Sequence, residues 1–240
     1  MKIKLVITLI ISCLVSMAFS QSEKLTKKAH LNAEKIMPKV IEWRHDIHEH
    51  PELSNLEFKT AAKVAQHLKD LGLEVEEGVA KTGVVGILVG DQSGPVIALR
   101  ADMDGLPVTE RVELPWASKA TSIYNDKATG VMHACGHDTH VAILMGVAEV
   151  LSGLKKDLKG TVKFIFQPAE EGGGGGRVMV EEGVFEKFQC DTVWGMHNDP
   201  KLPAGTIATR PGPLMAAVDT VKIIINAIGC HAAMPHVGID

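Results

Sequence analysis

PVIALRADMD, residues 95–104, is the stretch on which the fold turns. Its first half is a short apolar run rich in Val and Ile, the composition of a buried strand. Asp102 and Asp104 follow at once. The same arrangement returns twice. GTVKFIFQPAEE (160–171) is an apolar run that ends in Glu170 and Glu171, and CDTVWGMHN (190–198) is one that ends at His197. GVVGILVG (83–90) reads as a further short strand. Helical segments lie between these runs. SNLE (54–57) has the pattern of a capping box, and EFKTAAKVAQHLKDLG continues from it with helical periodicity to Gly72. HVAILMGVAEVLSGL (140–154) is apolar over helical length, and the charged residues 24–50 are compatible with a helix. Alternating helices and strands predict an α/β sandwich with a mixed, largely parallel sheet. In such sheets ligands bind beyond the carboxyl ends of the strands. The acidic pairs and His197 are therefore expected to converge on one site.

The 240 residues are 45% hydrophobic with a formal net charge of −4, which suits a globular protein of one or two domains. No basic stripe is present and only 4% of residues are aromatic, so nucleic acid is not an expected partner. MKIKLVITLIISCLVSMAFSQS (1–22) has two lysines, an apolar run from Leu5 to Phe19, and then small residues. That is the pattern of a secretory signal peptide, residues 1–20, cut after Ser20. The run is short for a membrane span. A lipoprotein cut before Cys13 is disfavoured because the apolar stretch continues past it. The expectation is an exported protein, periplasmic or secreted, with no membrane attachment after cleavage. Residues 21–212 then form the main domain. From Pro213 the character changes, and AAVDTVKIIINAIGCHAAMPHVGID (216–240) opens as an alternating strand that begins a smaller domain. The glycine run EGGGGGR (171–177) lacks the Lys-Ser/Thr ending of a phosphate loop and reads as a flexible loop.

Past the signal segment the cysteines are Cys135, Cys190 and Cys230, odd in number and widely spaced, which is no disulfide framework. VMHACGHDTH (131–140) sets Cys135 among His133, His137, Asp138 and His140. Thiolate and neutral imidazole ligate zinc and similar ions. No C-x-x-C pair accompanies them, so a catalytic site is expected in place of a structural one. Such a site needs a carboxylate base, and Glu170 and Glu171 can divide ligation and proton transfer between them. A Glu-Glu pair alone is commonly a solvated loop pair, and a lone His197 is commonly structural. Recurrence at successive strand ends gives them weight. Asp102 and Asp104 are placed to orient a ligand histidine. The competing reading makes Cys135 a nucleophile with His133 or His137 as its base. It leaves Glu170, Glu171 and His197 without a task.

RHDIHEHPELS (44–54), ALRADMDGLP (98–107), MHACGHDTHVAILMGVA (132–148), FQPAEEGGGGG (166–176), GMHNDPKLPAGTIATRPG (195–212) and HAAMPH (231–236) occur in the order found in a family of metal-dependent N-acyl-L-amino acid amidohydrolases. Hippurate hydrolase, the indole-acetyl-amino-acid hydrolases and N-acetyldiaminopimelate deacetylase belong to it. The chain resembles this family over roughly residues 38–240. The resemblance implies a catalytic α/β domain interrupted by a smaller α/β lid that mediates homodimerisation. It implies two divalent metal ions, drawn from zinc, manganese, nickel and cobalt, and a small N-acyl amino acid or peptide as substrate. By the same resemblance Cys135, His137, Glu171 and His197 are metal ligands, Glu170 is the general base, and Asp104 supports the site. His231 binds substrate or the developing oxyanion, often across a dimer. His45, His48 and His50 read as structural, His133 and His140 as supports, and Cys190, Trp194 and Met196 as packing.

Two departures accompany the resemblance. AIGCH (227–231) has Cys230 and no basic residue where the family carries a glycine-rich stretch with one. Family members also continue beyond position 240 to a histidine that supplies the last metal ligand. The expectation is a fragment of an amidohydrolase, and the alternative is a non-catalytic metal- or ligand-binding fragment.

Overall fold

A computed structural model describes every residue except Met1, Phe188, Thr220, Ile225, Ala227 and Asp240, and for residues 2–21 it describes the backbone alone. Two compact units result, Met1–Asn198 and Asp199–Asp240. The first unit runs α1 (Lys2–Glu49), α2 (Phe58–Asp70), β1 (Glu74–Val79), β2 (Gly83–Val89), β3 (Gln92–Asp102), β4 (Thr121–Tyr124), β5 (Lys127–Gly130), α3 (His137–Ser152), β6 (Lys159–Gln167), α4 (Gly175–Glu181) and β7 (Thr192–Gly195). The signal-peptide reading of residues 1–20 rests on side chains outside those described. Among the described residues no helix is long and apolar enough to cross a membrane.

Five strands form one mixed sheet in the order β1-β2-β6-β3-β7. β1 with β2 and β2 with β6 are antiparallel, while β6 with β3 and β3 with β7 are parallel. The parallel half matters for function. β6, β3 and β7 are neighbours that point the same way, so Gln167, Asp102 and Gly195 end on one edge. Strand alternation splits the central β6 between two cores. Val162, Phe164 and Phe166 join the cluster that includes Val64, Leu68, Val141 and Met145 from α2 and α3. Ile165 faces the opposite cluster, with Met179 of α4 and Val184. Helices therefore cover both faces, and the fold is an α/β sandwich.

Gly146 lets α1 lie close against α3: a Cβ there would stand 2.8 Å from Val40 Cγ2. Polar contacts then lock α1 to the start of α3. His48 is buried, with Nδ1 3.0 Å from Asp138 Oδ2 and Nε2 3.1 Å from Glu110 Oε1. Arg44 Nε donates to the same Asp138 oxygen at 3.1 Å. The bond to Asp138 raises the His48 pKa, with burial opposing and Glu110 adding. A raised pKa in the folded state means that the contribution of His48 is fully present below its unfolded value, about 6.5, and is lost as pH rises through the folded value. We expect His48→Gln to lower stability by about 1–3 kcal/mol at pH 6 and by less at pH 9. Denaturant melts at the two pH values check this, and an equal loss at both would count against it.

Three features depart from the sequence reading. SNLE is not a capping box. α2 starts at Phe58, and its N-cap Glu57 makes no side-chain cap bond. Glu52 does the capping, accepting from Lys59 N at 3.0 Å and Thr60 N at 2.9 Å. Ser54 turns away to donate to Asp104 Oδ2 at 2.6 Å. The glycine run does not stay a loop: Gly175 opens α4, where a Cβ would lie 1.9 Å from the Pro168 carbonyl oxygen, so only glycine fits. Trp194 and Met196 are not packing residues. They are 63% and 50% exposed, and β7 is the outermost strand of the sheet.

The second unit holds a 3-10 turn at Pro235–Val237 and a bridge between Ile228 and Ile239. The alternating strand expected from residue 216 is not formed among its described residues. Val218, Val221 and Ile223 are each at least 80% exposed. A lone strand leaves its backbone groups unpaired, so alternation alone does not make one.

Candidate metal centre

Past the ends of β3, β6 and β7, the first unit gathers Asp102, Asp104, Cys135, His137, His140, Glu170, Glu171 and His197. His137 is central and fully buried. Its Nδ1 donates to the Asp104 carbonyl oxygen at 2.9 Å. That fixes the tautomer and leaves the Nε2 lone pair facing Asp102 Oδ2 at 3.5 Å, Glu171 Oε1 at 3.8 Å and Glu170 Oε2 at 3.9 Å. His197 repeats the device. Its Nδ1 donates to the Asn198 carbonyl at 2.7 Å, and its Nε2 stands 3.4 Å from Cys135 Sγ. A backbone carbonyl that holds one ring nitrogen so that the other is free to ligate is the common arrangement around protein-bound metals.

Donor atoms of Cys135, His137 and His197 all lie within 4.8 Å of one another, and so do those of His137, Glu170 and Glu171 and those of Asp102, His137 and His140. Bonds of about 2.0–2.3 Å to one tetrahedral ion place donors roughly 3.3–3.8 Å apart, so these groups are near ligating spacing. His137 Nε2 and Glu171 Oε1 are buried with no hydrogen-bond partner. Orphaned buried polar atoms are costly and call for an occupant. A lone pair and a carboxylate oxygen aimed at each other suit a cation. The mixed S, N and O donor set fits a divalent ion.

Electrostatics agree. Burial, then Glu171, Asp102 and Glu170, push the Cys135 thiol up to about 12. Burial also raises Glu171, more than His137 lowers it. Asp102 is held well below the usual carboxylate range: burial opposes ionisation, but the His140 bond and the charge of Arg100 outweigh it. Burial likewise opposes protonation of His137, and the Asp104 carboxylate, 3.4 Å from Nδ1, with the Asp102 charge overcomes it. A nucleophilic cysteine needs a lowered pKa in electropositive surroundings. Cys135 has the reverse, a thiol held among the carboxylates of Glu171, Asp102 and Glu170, which disfavours the cysteine-hydrolase reading. A bound dication inverts this logic and deprotonates a ligating thiol outright.

Asp104 holds the frame. Its carboxylate accepts from Glu170 N at 3.0 Å, Glu171 N at 2.9 Å and Ser54 Oγ. His140 underlies the cluster, with Nδ1 2.6 Å from Asp102 Oδ1 and Nε2 2.7 Å from Asn198 Oδ1. Sequence reasoning missed Asn198, which carries no motif and is found only by its contact with His140. It also missed Gly136, whose φ of +86° starts α3 and whose missing side chain makes room for the Asn198 amide. His133 is fully enclosed and lies outside the donor sets. His231 lies in the second unit, exposed, where its Nδ1 accepts from Ala233 N at 3.1 Å, and it is not among the residues that the first unit gathers.

Residues 98–237 match the model of peptidase family M20/M25/M40. The chain is 46% identical over 203 residues to an N-acetylcysteine deacetylase of Bacillus subtilis, which covers 84% of this chain and 51% of that protein. It is 44% identical over 197 residues to the hippurate hydrolase of Campylobacter jejuni, at 82% and 49% coverage. Among solved structures it resembles the Bacillus subtilis YXEP protein, described as a dinuclear metal-binding peptidase from the M20 family. That TM-score is 0.68 at 44% identity, covering 75% of this chain and 48% of the other. The chain spans about half the length of the curated relatives it matches. With the donor cluster at the parallel strand ends and more than half of its length under the family model, the chain belongs to peptidase family M20/M25/M40.

Proposed function

We propose that this protein is an exported, metal-dependent hydrolase of linear amide C–N bonds that cleaves N-acyl amino acids or small peptides. The observation that carries the reading is the paired presentation of His137 and His197. Each is pinned at Nδ1 by a backbone carbonyl, and each turns Nε2 toward acidic or thiol donors. Cys135, His137, Glu171 and His197 would hold two divalent ions of the zinc, manganese, nickel or cobalt type, with His137 at the centre of the donor groups. Bound ions supply a Lewis acid for the amide carbonyl and lower the pKa of the attacking water. Glu170 is the more exposed of the adjacent glutamates, with 43% side-chain accessibility against 18% for Glu171. Glu171 is therefore the ligand and Glu170 the base, which takes the proton of the attacking water and delivers it to the departing nitrogen. By the family resemblance, His231 would bind substrate or the developing oxyanion, often across a dimer. The N-terminal signal pattern supports export, and the family resemblance supports a homodimer.

The test is metal analysis and hydrolysis of N-acetyl and N-benzoyl amino acids by the purified protein. Chelation is expected to abolish turnover and divalent ions to restore it, while iodoacetamide leaves the metal-loaded protein active. Full turnover by metal-free protein would overturn the reading.

A further inference from the structure

Glu57 is a fully buried carboxylate outside the donor cluster. It occupies the N-cap position of α2 without capping it, because Glu52 binds the first amides of that helix. Its oxygens are used elsewhere. Oε2 accepts from Thr82 Oγ1 at 2.6 Å, and Oε1 accepts from Ala169 N at 2.8 Å. Among the described residues no cation pairs with it. A buried charge without a cation is a liability to stability that an apolar side chain would avoid. Its compensation comes from the Thr82 hydroxyl and from backbone amides, among them that of Ala169, the residue before Glu170.

That amide belongs to a strained turn. Ala169 has φ +51°, a conformation uncommon for a residue with a side chain. Pro168 before it has no N–H to give. The next two amides, Glu170 N and Glu171 N, go to the two oxygens of Asp104. Three consecutive amides are thus held by two buried carboxylates, and Gly175 N closes the turn onto the Ala169 carbonyl at 3.1 Å. Strained backbone persists at functional sites where the surroundings over-determine it.

We propose that Glu57 is a positioning residue: by holding the Ala169 amide, it sets the direction in which Glu170 and Glu171 leave the end of β6. The claim rests on the roles given to those two glutamates above. Glu57→Leu keeps the volume and removes the acceptor. Glu57→Gln keeps a carbonyl oxygen for Ala169 and turns its NH₂ toward the Thr82 hydroxyl, which can accept.

Hydrogen exchange of metal-free protein, Co²⁺ affinity and steady-state kinetics are measured on both variants. Glu57→Leu is expected to speed exchange at Ala169–Glu171 beyond any change in the centre of β6, to weaken Co²⁺ binding about tenfold, and to lower kcat about 10–100-fold with KM changed little. Glu57→Gln is expected to recover most of each. Exchange that rises equally in β6 and the turn, with Co²⁺ affinity and kcat of the folded fraction unchanged, would show a role in stability alone and overturn the proposal. So would Glu57→Gln failing as far as Glu57→Leu. If the wild-type protein hydrolyses no N-acyl amino acid, the proposed function fails, while exchange and Co²⁺ affinity still decide the clamp.

Discussion

Glu170→Gln is expected to lower kcat by about 10²–10⁴ with bound metal retained. The reason lies in the difference between two adjacent glutamates. Glu171 Oε1 is buried, orphaned and 3.8 Å from His137 Nε2, the situation of an atom that ligates. Glu170 lies at nearly the same distance from that nitrogen, 3.9 Å, but its side chain is 43% exposed against 18% for Glu171. It can move, and it can exchange a proton with water or a leaving group. Glutamine preserves its shape and its backbone bond to Asp104, and removes only the ability to accept that proton. The split between turnover and metal content is therefore the measurement. A fall in both would make Glu170 a ligand, and unchanged turnover would remove it from the chemistry. KM is expected to change little, because the lost interaction belongs to the transition state.

Most of this site was legible in the sequence because parallel strands impose a rule. Once residues 95–104, 160–167 and 190–195 read as strands, their polar sequels had to share an edge. The antiparallel half was less legible. β1, with Glu74, Glu76 and Glu77, is a charged edge strand with no apolar run to announce it. Pairing direction is not encoded locally, so β2 reads like the parallel strands β3, β6 and β7 although it runs antiparallel to β6. The capping box failed for a physical reason: Ser54 and Glu57 have the right spacing, but each has a stronger tertiary partner in Asp104 and in Ala169. Local pattern proposes a hydrogen bond, and the buried acceptor or donor that would otherwise go unpaired decides which one forms.

That logic makes Asp104→Asn the second large effect. In the wild-type protein one carboxylate serves Glu170 N, Glu171 N and Ser54 Oγ, with His137 Nδ1 3.4 Å from Oδ1. Every neighbour donates. Asparagine offers one accepting oxygen and one NH₂, so at least one amide of the Glu170–Glu171 turn faces a donor. The cost is about 1–3 kcal/mol for a buried group left unpaired. Because the loosened turn carries both the base and a ligand, turnover and metal affinity should each fall about 10–100-fold. The pH dependence carries a sign. Burial raises the Asp104 pKa, but the bonds from His137, Ser54 and the two amides lower it further, and the net shift is downward. A depressed folded pKa gives stability that is present above the unfolded value, about 3.9, and is lost as pH falls through the folded value. The stability gap between wild type and Asp104→Asn should therefore be widest near neutrality and close in acid. Denaturant melts from pH 7 downward read it directly. A gap that stays constant into acid would mean that the asparagine acts by altered packing and that the carboxylate charge at Asp104 does not hold the turn.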